Sequence, residues 1–267
     1  MNQRMNQTVN VVKIGGNIIN DPIALNTVLD HFARLDGPRV LIHGGGKLAT
    51  ELAGKLGIPQ TMVQGRRVTD QETLRIAVMV YGGLINKSIV AGLQARGVPA
   101  VGVSGADLDL IRAERRNPVP VDYGFVGDIT GVNAQALTTL LHTGITPVFA
   151  PLSHDGKGSL LNTNADTIAY EVAKALAPEA PVRLLFTFEK EGVLLDVSDE
   201  NTLVKDLTPV RYAVLREQGK ITDGMIPKLE NAFRAIEAGV SEVILGKAEA
   251  LPRLIERSTG TRLFRDA

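Results

Sequence analysis

The sequence predicts an α/β protein with a mainly parallel central sheet. Short β-branched runs, such as Val9–Ile14 and Arg39–His43, alternate with segments of helical periodicity. Glycines follow directly after both of these runs, as is typical of turns from a strand into a helix. The resulting β-α-β-α order implies parallel strands joined by right-handed crossovers. Apolar residues make up 44% of the 267 residues, enough for a sizeable core.

Local signals define the helices of the first half. Asp21 and Pro22 are typical of an N-cap followed by the first helical position. The stretch Thr69–Glu72 matches a capping box and opens a long helix, whose apolar residues recur at helical spacing. Within it, the pair Gly82-Gly83 predicts close helix packing, for which a subunit contact is one candidate. The helix that starts at Pro22 is predicted to end at 35, and a further helix is predicted from 48 to about 57.

The second half continues the alternation. Polar, alternating residues between Ile111 and Val132 predict an antiparallel hairpin over the sheet edge, which could act as a lid. Pro178–Pro181 is the best linker candidate, so we predict an N-terminal lobe at 1–177 and a C-terminal lobe at 178–267. Strands are predicted at 99–104, 145–150, 182–187 and 242–245, and helices at 133–142, 165–176, 208–218, 225–238 and 250–256.

Composition excludes several classes of function. Lys plus Arg equals Asp plus Glu at 29 each, and aromatic residues are only 4%, so neither nucleic acid nor membrane is an expected partner. The absence of cysteine excludes disulfides and thiolate metal sites, and the four histidines lack metal-ligand spacing. The polar N-terminus does not resemble a signal peptide, and no uninterrupted apolar run approaches about 20 residues. We expect a soluble, cytoplasmic protein.

Two glycine turns predict a site for an anion. Lys13 precedes Gly15 and Gly16 at the end of the first predicted strand, and His43 precedes Gly44 and Gly45 at the end of the second. Glycine lets the backbone approach a ligand closely, and the first N–H groups of a following helix favour an anion. Tight turns and a solvated lysine are the simpler alternatives.

Three further positions carry polar or charged groups near predicted helix starts. Asn162, Asn164 and Asp166 alternate before a helix, where N-capping explains at least one of them. Lys228 falls in the first turn of a helix, where the helix dipole disfavours a cation unless an anion is bound. Arg67 is a candidate for paired hydrogen bonds to a carboxylate, although taken singly it resembles a surface arginine.

Five motifs occur in the order found in the amino acid kinase family, and together they resemble that family from about Val9 to Phe264. They are Lys-x-Gly-Gly, His-Gly-Gly-Gly, Gly-x-Arg-Val-Thr, Asn-x-Asn-x-Asp and Thr-Asp-Gly-Met-x-x-Lys. The resemblance is strongest to members that phosphorylate the γ-carboxylate of N-acetyl-L-glutamate, early in arginine biosynthesis. It implies an open three-layer αβα sandwich of two lobes, with ATP as co-substrate.

The resemblance also implies roles for individual residues. Lys13 and Lys228 would stabilise the transferring phosphoryl group, and Asp166 would position them. The acceptor would be held by Gly44, Gly45, Arg67, Asn162 and Asn164. Phosphate and nucleotide would contact Gly15, Gly16, Glu189, Gly192, Val193, Leu194, Lys220, Ile221 and Thr222. No residue is assigned to a metal, because Mg²⁺ would be held mainly by the nucleotide phosphates.

The chain departs from the family pattern at three places. Glu189-Lys190-Glu191 stands where relatives usually carry Asp-Val-x, and Lys47 stands where many carry proline. Arginine-regulated hexameric relatives have an additional N-terminal helix, whereas only about eight residues precede the first predicted strand here. We therefore expect a homodimer that arginine does not inhibit.

The acyl group of the substrate and the activity itself have alternatives. Arg112, Arg115 and Arg116 in the hairpin are consistent with N-succinyl-L-glutamate as acceptor, although a solvated basic face explains them more simply. The motifs fit kinases of aspartate, carbamate, UMP or carrier-bound aminoadipate less well. A catalytically silent ligand-binding or regulatory protein is the alternative from another class, and the retained Lys13, Asp166 and Lys228 argue against it.

Overall fold

The protein is a three-layer α/β sandwich built on an eight-stranded sheet. The computed structural model describes residues 5–63, 66–196, 198–221 and 225–265. In spatial order the strands of this sheet are β12 (Asp206–Leu207), β14 (Thr261–Leu263), β13 (Glu242–Lys247), β11 (Val182–Phe188), β1 (Val9–Ile14), β2 (Arg39–His43), β8 (Thr146–Phe149) and β5 (Ala100–Val103). Every neighbouring pair is parallel except β13 and β14. The predicted mainly parallel sheet is confirmed.

The helices connect these strands and cover both faces of the sheet. They are α1 (Gly16–Asn20), α2 (Pro22–Ala33), α3 (Gly46–Lys55), α4 (Gln71–Ala77), α5 (Asn86–Gln94), α6 (Ala134–His142), α7 (Ala165–Leu176), α8 (Pro209–Glu217), α9 (Ile226–Glu237) and α10 (Leu251–Ile255). As predicted, the Asp21 carboxylate caps α2 by accepting from the N–H groups of Ile23 and Ala24. At α4 the N-cap is Asp70, one residue later than the capping-box pattern indicated.

Two apolar clusters, one on each face of the sheet, form the core. Alternate residues of a strand point to opposite faces, so Val11 and Val12 of β1 lie in different clusters. The cluster containing Val11 packs against α6, α7, α8 and α9. The cluster containing Val12 packs against the helices from α1 to α5 and against α10. This arrangement buries both faces of the central strands, as parallel sheets require.

A smaller sheet lies beside the main one. Its strands, in spatial order, are β10 (Leu160–Asn162), β9 (Leu152–His154), β6 (Ile111–Arg115) and β7 (Gly127–Val132). β6 and β7 are antiparallel, which confirms the predicted hairpin. A separate two-stranded hairpin joins β3 (Met62–Val63) to β4 (Arg66–Arg67).

The long helix between Gln71 and Gln94 contains a π-helical segment, Val78–Ile85, that the sequence pattern did not predict. Gly82 and Gly83 lie inside it; a Cβ on Gly82 would touch Leu152, whereas one on Gly83 would meet open space. Within the described residues, this helix alone is long and apolar enough to cross a bilayer, with a mean hydropathy of 1.6. Buried core helices of globular proteins meet the same criterion, and 44% of the scored window is buried here.

Candidate active site

The two predicted glycine turns meet at the carboxyl edge of the sheet. β1 and β2 are adjacent and parallel, so the residues that follow them emerge side by side. The Gly44 N–H donates to the Ile14 carbonyl over 3.3 Å, and a Cβ on Gly44 would lie 3.4 Å from the Gly16 nitrogen. Gly45 has a φ of +150°, a conformation that favours glycine. Backbone N–H groups of both turns therefore share one small region.

Lys13 reaches this edge from β1 and pairs with Asp166. Lys13 Nζ lies 2.7 Å from Asp166 Oδ1, and 16% of the lysine side chain is exposed. The Thr187 hydroxyl donates to the Lys13 carbonyl over 2.9 Å, which fixes β1 to β11 beside the pair. Asp166 belongs to the first turn of α7, whose N-cap is Asn164. The structure thus brings two of the predicted catalytic residues into contact.

Asn164 has a structural role at this helix start. Its side-chain Oδ1 accepts from the N–H groups of Asp166 and Thr167, at 2.8 and 3.1 Å. This is the N-capping alternative that the sequence left open. The cap also fixes the backbone that carries Asp166.

Lys228 lines the same cleft as the Lys13–Asp166 pair. It occupies the first turn of α9, and its Nζ lies 5.0 Å from the centre of the Phe188 ring. Among the described residues no carboxylate comes within ion-pair distance of Lys228. The cleft has a volume of about 270 Å³, and its walls include Lys13, Arg66, Asp166, Tyr170, Phe188 and Lys228.

Sequence analysis did not identify Arg66, Tyr170 or Phe188 as lining residues of this cleft. Arg66 and the motif arginine Arg67 are neighbours on β4. Successive side chains of a strand point to opposite faces, and the sequence does not show which of the two arginines faces the cleft. Phe188 ends β11, and the cation–π contact with Lys228 joins positions 40 residues apart. Neither relation has a signal within a short sequence window.

Arg67 and Asn162 are hydrogen-bonded to residues of the first half of the chain and are not among the residues that line the cleft. Arg67 Nη2 donates to the Gly46 carbonyl and to Thr50 Oγ1, over 3.0 and 2.8 Å, and Nη1 donates to Gln60. Asn162 Nδ2 donates to Thr69 Oγ1 over 3.0 Å. Arg67 is therefore fixed against the start of α3, next to the second glycine turn.

The segment after β11 contains the predicted nucleotide contacts. Gly192 has a φ of +153°, and a Cβ there would lie 2.6 Å from Thr261 Oγ1. The Val193 N–H donates to the same Thr261 oxygen over 2.8 Å, and Leu194 bridges to Leu203. Val193 and Leu194 are buried, so their side chains stabilise this loop from beneath.

The remaining predicted nucleotide contacts differ in exposure. Glu189 and Lys220 are exposed, whereas Ile221 is buried. Thr222 lies outside the described residues. Within the described ranges, no group of three or more histidine or acidic side chains is placed to hold a metal ion.

The fold and the cleft define an α/β protein with a lysine-containing cleft and two glycine turns at the carboxyl edge of its sheet. The chain belongs to the amino acid kinase family, whose model matches residues 8–247. An acetylglutamate kinase from Parabacteroides distasonis is 53% identical over 254 residues, covering 95% of this chain and 98% of that protein. One from Bacteroides fragilis is 50% identical over 263 residues, with coverages of 98% and 99%.

A solved structure agrees in fold. Carbamate kinase from Giardia lamblia superposes with a TM-score of 0.68 at 13% identity, covering 97% of this chain and 99% of that chain. At that identity the likeness concerns the fold alone. Together with the family match it confirms the αβα sandwich.

Proposed function

We propose that the protein transfers the γ-phosphoryl group of ATP to the γ-carboxylate of N-acetyl-L-glutamate, a step of arginine biosynthesis. The observation that carries the proposal is a cleft lined by the Lys13–Asp166 pair and by Lys228, at the sheet edge where the two glycine turns also emerge. Curated relatives about 50% identical over nearly the whole chain are acetylglutamate kinases, which supports this acceptor. The products are ADP and an acyl phosphate.

The chemistry explains why such a site needs cations and N–H donors rather than a general base. A glutamate-type carboxyl group has a pKa of about 4.3, so it is already ionised at neutral pH. Its oxygen attacks the γ-phosphorus as the bond to the bridging oxygen of ADP breaks. The barrier arises from repulsion between two anions and from charge spread over the transferring phosphoryl oxygens. Lys13 and Lys228 oppose that charge from two sides, and the glycine N–H groups donate to it.

We assign the acceptor to the side of Gly44, Gly45, Arg67 and Asn162, and the nucleotide to the side of the 189–194 loop and the start of α9. This division corresponds to the proposed lobes at 1–177 and 178–267, although one continuous sheet passes through both. Mg²⁺ would be held mainly by the phosphate oxygens, where it would neutralise charge on the transferring group.

Ion pairing of the hairpin arginines argues for acetyl rather than succinyl as the acyl group. Arg112 pairs with Asp109 at 2.7 Å, and Arg115 lies 3.8 Å from Asp122. Arg116 Nε donates to both carboxylate oxygens of Asp128, over 3.0 and 3.1 Å. Each cation already has an acidic partner, so none is committed to a second carboxylate of the substrate.

We also propose a homodimer formed through the helix between Gln71 and Gln94. Met79 and Leu84 on this helix are 51% and 61% exposed, which is unusual for large apolar side chains on one helix. Light scattering should give the mass of two chains, and Leu84→Asp should give the mass of one. A wild-type monomer would contradict the proposal.

The test of the function is ATP consumption by the purified protein with N-acetyl-L-glutamate and N-succinyl-L-glutamate in parallel, with the acyl phosphate trapped as a hydroxamate. We expect hydroxamate formation with the acetyl substrate to dominate. A preference for succinyl would retain the mechanism and correct the acceptor. Hydroxamate from neither substrate would contradict the proposed function.

A further inference from the structure

His43, the first residue of the His-Gly-Gly-Gly motif, is fully buried and hydrogen-bonded at both ring nitrogens. Its Nδ1 lies 2.7 Å from the Gly44 carbonyl oxygen, and its Nε2 lies 3.2 Å from Asn86 Nδ2. A carbonyl oxygen only accepts, so Nδ1 carries the proton. Asn86 Nδ2 also donates to the Val148 carbonyl over 2.8 Å, so it is the amide nitrogen and Nε2 is an acceptor. These contacts fix a neutral imidazole with a defined tautomer.

Asn86 is itself held in place by its surroundings. Its side chain is 1% exposed, and its Oδ1 accepts from Lys87 Nζ over 3.2 Å. Lys87 Nζ also donates to the Gly102 carbonyl over 3.0 Å. A Cβ on Gly102 would overlap Asn86 Oδ1, so glycine on β5 leaves room for the amide. The network thus ties His43 to three strands, β2, β8 and β5.

The π-helical segment positions Asn86 and also supports the glycine turn directly. Asn86 follows the last residue of that segment, Ile85. A Cβ on Gly45 would overlap Ile85 Cδ1 and would lie 3.1 Å from Tyr81 Cδ1. The π-helical segment therefore packs against Gly45 and places Asn86 beside His43. Single π-helical turns within α-helices are frequent at functional sites.

The hydrogen bond from His43 determines where the next N–H group points. The C=O and N–H of a trans peptide point in opposite directions. With the Gly44 carbonyl turned towards the buried imidazole, the Gly45 N–H points away from it. The Gly45 nitrogen lies 3.7 Å from the Cβ position of Gly16. Neither the Gly45 nor the Gly16 N–H has an acceptor within the described part of the chain.

We propose that His43 is a positioning residue: with Asn86 and the π-helical segment, it orients the Gly44–Gly45 peptide so that the Gly45 N–H donates to the transferring phosphoryl group. This inference deepens the proposed function and rests on it. His43 acts as a neutral hydrogen-bond donor to the backbone and takes no proton from the substrate.

Two substitutions separate the functions of the ring nitrogens. The amide nitrogen of Asn can replace the Nδ1 donor, whereas Gln extends its amide to the Nε2 position. We expect His43→Gln to lower kcat by about 100-fold or more while both KM values stay within about threefold, as for loss of a preorganised donor. His43→Asn should lower kcat by less than about tenfold. The matched control is His142→Gln, at an exposed histidine ending α6, which should leave kcat unchanged.

Two results would overturn the assignment to His43. One is a His43→Gln enzyme with kcat within about threefold of wild type; the other is a folded His43→Asn enzyme as impaired as His43→Gln. Circular dichroism establishes that each variant is folded.

A second measurement does not depend on activity. Imidazole ¹⁵N chemical shifts of the wild-type protein, assigned by comparison with His43→Gln, should give a neutral ring with the proton on Nδ1. A proton on Nε2 would overturn the assignment to His43 even in an active enzyme. An Nδ1–H ring in a protein that does not phosphorylate N-acetyl-L-glutamate would instead support the geometry and overturn the proposed function.

Discussion

The proposed acceptor side and the proposed nucleotide side of the site differ in how firmly their charged and polar groups are held. On the acceptor side, Arg67 donates to three acceptors, Gly45 is packed against Ile85 and Tyr81, and His43 fixes the neighbouring peptide. On the nucleotide side, Lys228 contacts an aromatic ring at the start of a helix whose N-cap makes no side-chain hydrogen bond.

This difference has a physical meaning for phosphoryl transfer. Donors that face developing charge are most effective when they need no reorganisation during the reaction. Groups that bind the nucleotide can become ordered when the nucleotide binds. We therefore expect substitutions on the acceptor side, and of Lys228 at the reacting group, to act mainly on kcat, and the other substitutions on the nucleotide side to act mainly on the KM for ATP.

The largest effect is expected from Lys13→Ala. It removes a cation at the reacting group and leaves Asp166 without its partner at 2.7 Å. We expect kcat to fall by about 1,000-fold, at the upper end for loss of one electrostatic contact. The measurement is steady-state ATP consumption, with Lys55→Ala, at an exposed lysine in the last turn of α3, as control. A loss below about tenfold would contradict the role assigned to Lys13.

Gly45→Ala tests the rigidity of the acceptor side. The alanine backbone would be strained at a φ of +150°, and its methyl group would overlap Ile85 Cδ1. We expect a loss of about 2–4 kcal/mol in the free energy of unfolding. The matched control is Gly54→Ala within α3, where a Cβ meets open space and should stabilise by about 1 kcal/mol. Equal unfolding midpoints in urea for the two variants would show that Gly45 is not confined.

The buried His43 predicts a pH dependence of stability. Burial lowers the pKa of His43 to about 4, below the ordinary 6.5. Between these values the unfolded chain binds the proton more readily, so stability is complete above pH 6.5 and falls as the pH drops towards 4. The hydrogen bond to the Gly44 carbonyl acts in the opposite direction and raises the pKa, but burial is the larger effect.

Between pH 7.5 and 5 this contribution should fall by about 2 kcal/mol. Urea unfolding of wild type and of His43→Gln at both pH values isolates it, because the other titrating groups are common to the two proteins. The same pH dependence in both would mean that His43 does not titrate in this window.

The smallest effect is expected on the nucleotide side, from Thr261→Val. Thr261 is buried and accepts from the Val193 N–H, so the change leaves that N–H unpaired at a cost of about 1–2 kcal/mol. The KM for ATP should rise several-fold while that for the acyl substrate stays constant. The control is Thr143→Val, at the exposed threonine that is the C-cap of α6. An increase confined to the KM of the acyl substrate would reverse the assigned sides.

Sequence analysis predicted the elements that local chemistry determines. The strand Val9–Ile14 and the helix Ala165–Leu176 match residue by residue, because β-branched composition and an N-cap are local signals. Sequence analysis did not predict the short strands β12 and β14 or the helix α1, because two to five residues carry too little periodicity. The extended conformation of β14 also depends on its pairing with β13, which is not a local signal.

The site was predictable where motifs coincide with strand ends and unpredictable where distant residues meet. Lys13 and Asp166 were identified from their motifs, and the structure pairs them. The contact between His43 and Asn86 spans 43 residues and depends on the π-helical segment. Residues of the π-helical segment pack against Gly45, whereas the helical periodicity of the sequence alone predicts a regular α-helix at these positions.

The central claim is that the cleft is complementary to a phosphoryl group in transfer between ADP and a carboxylate. Calorimetry of MgADP with aluminium fluoride, in the presence of N-acetyl-L-glutamate, tests it most directly. We expect Kd to be at least about 100-fold lower than for MgADP alone, as for transition-state analogues, and expect Lys13→Ala to abolish that gain. Equal affinities with and without aluminium fluoride in the wild-type protein would contradict the account.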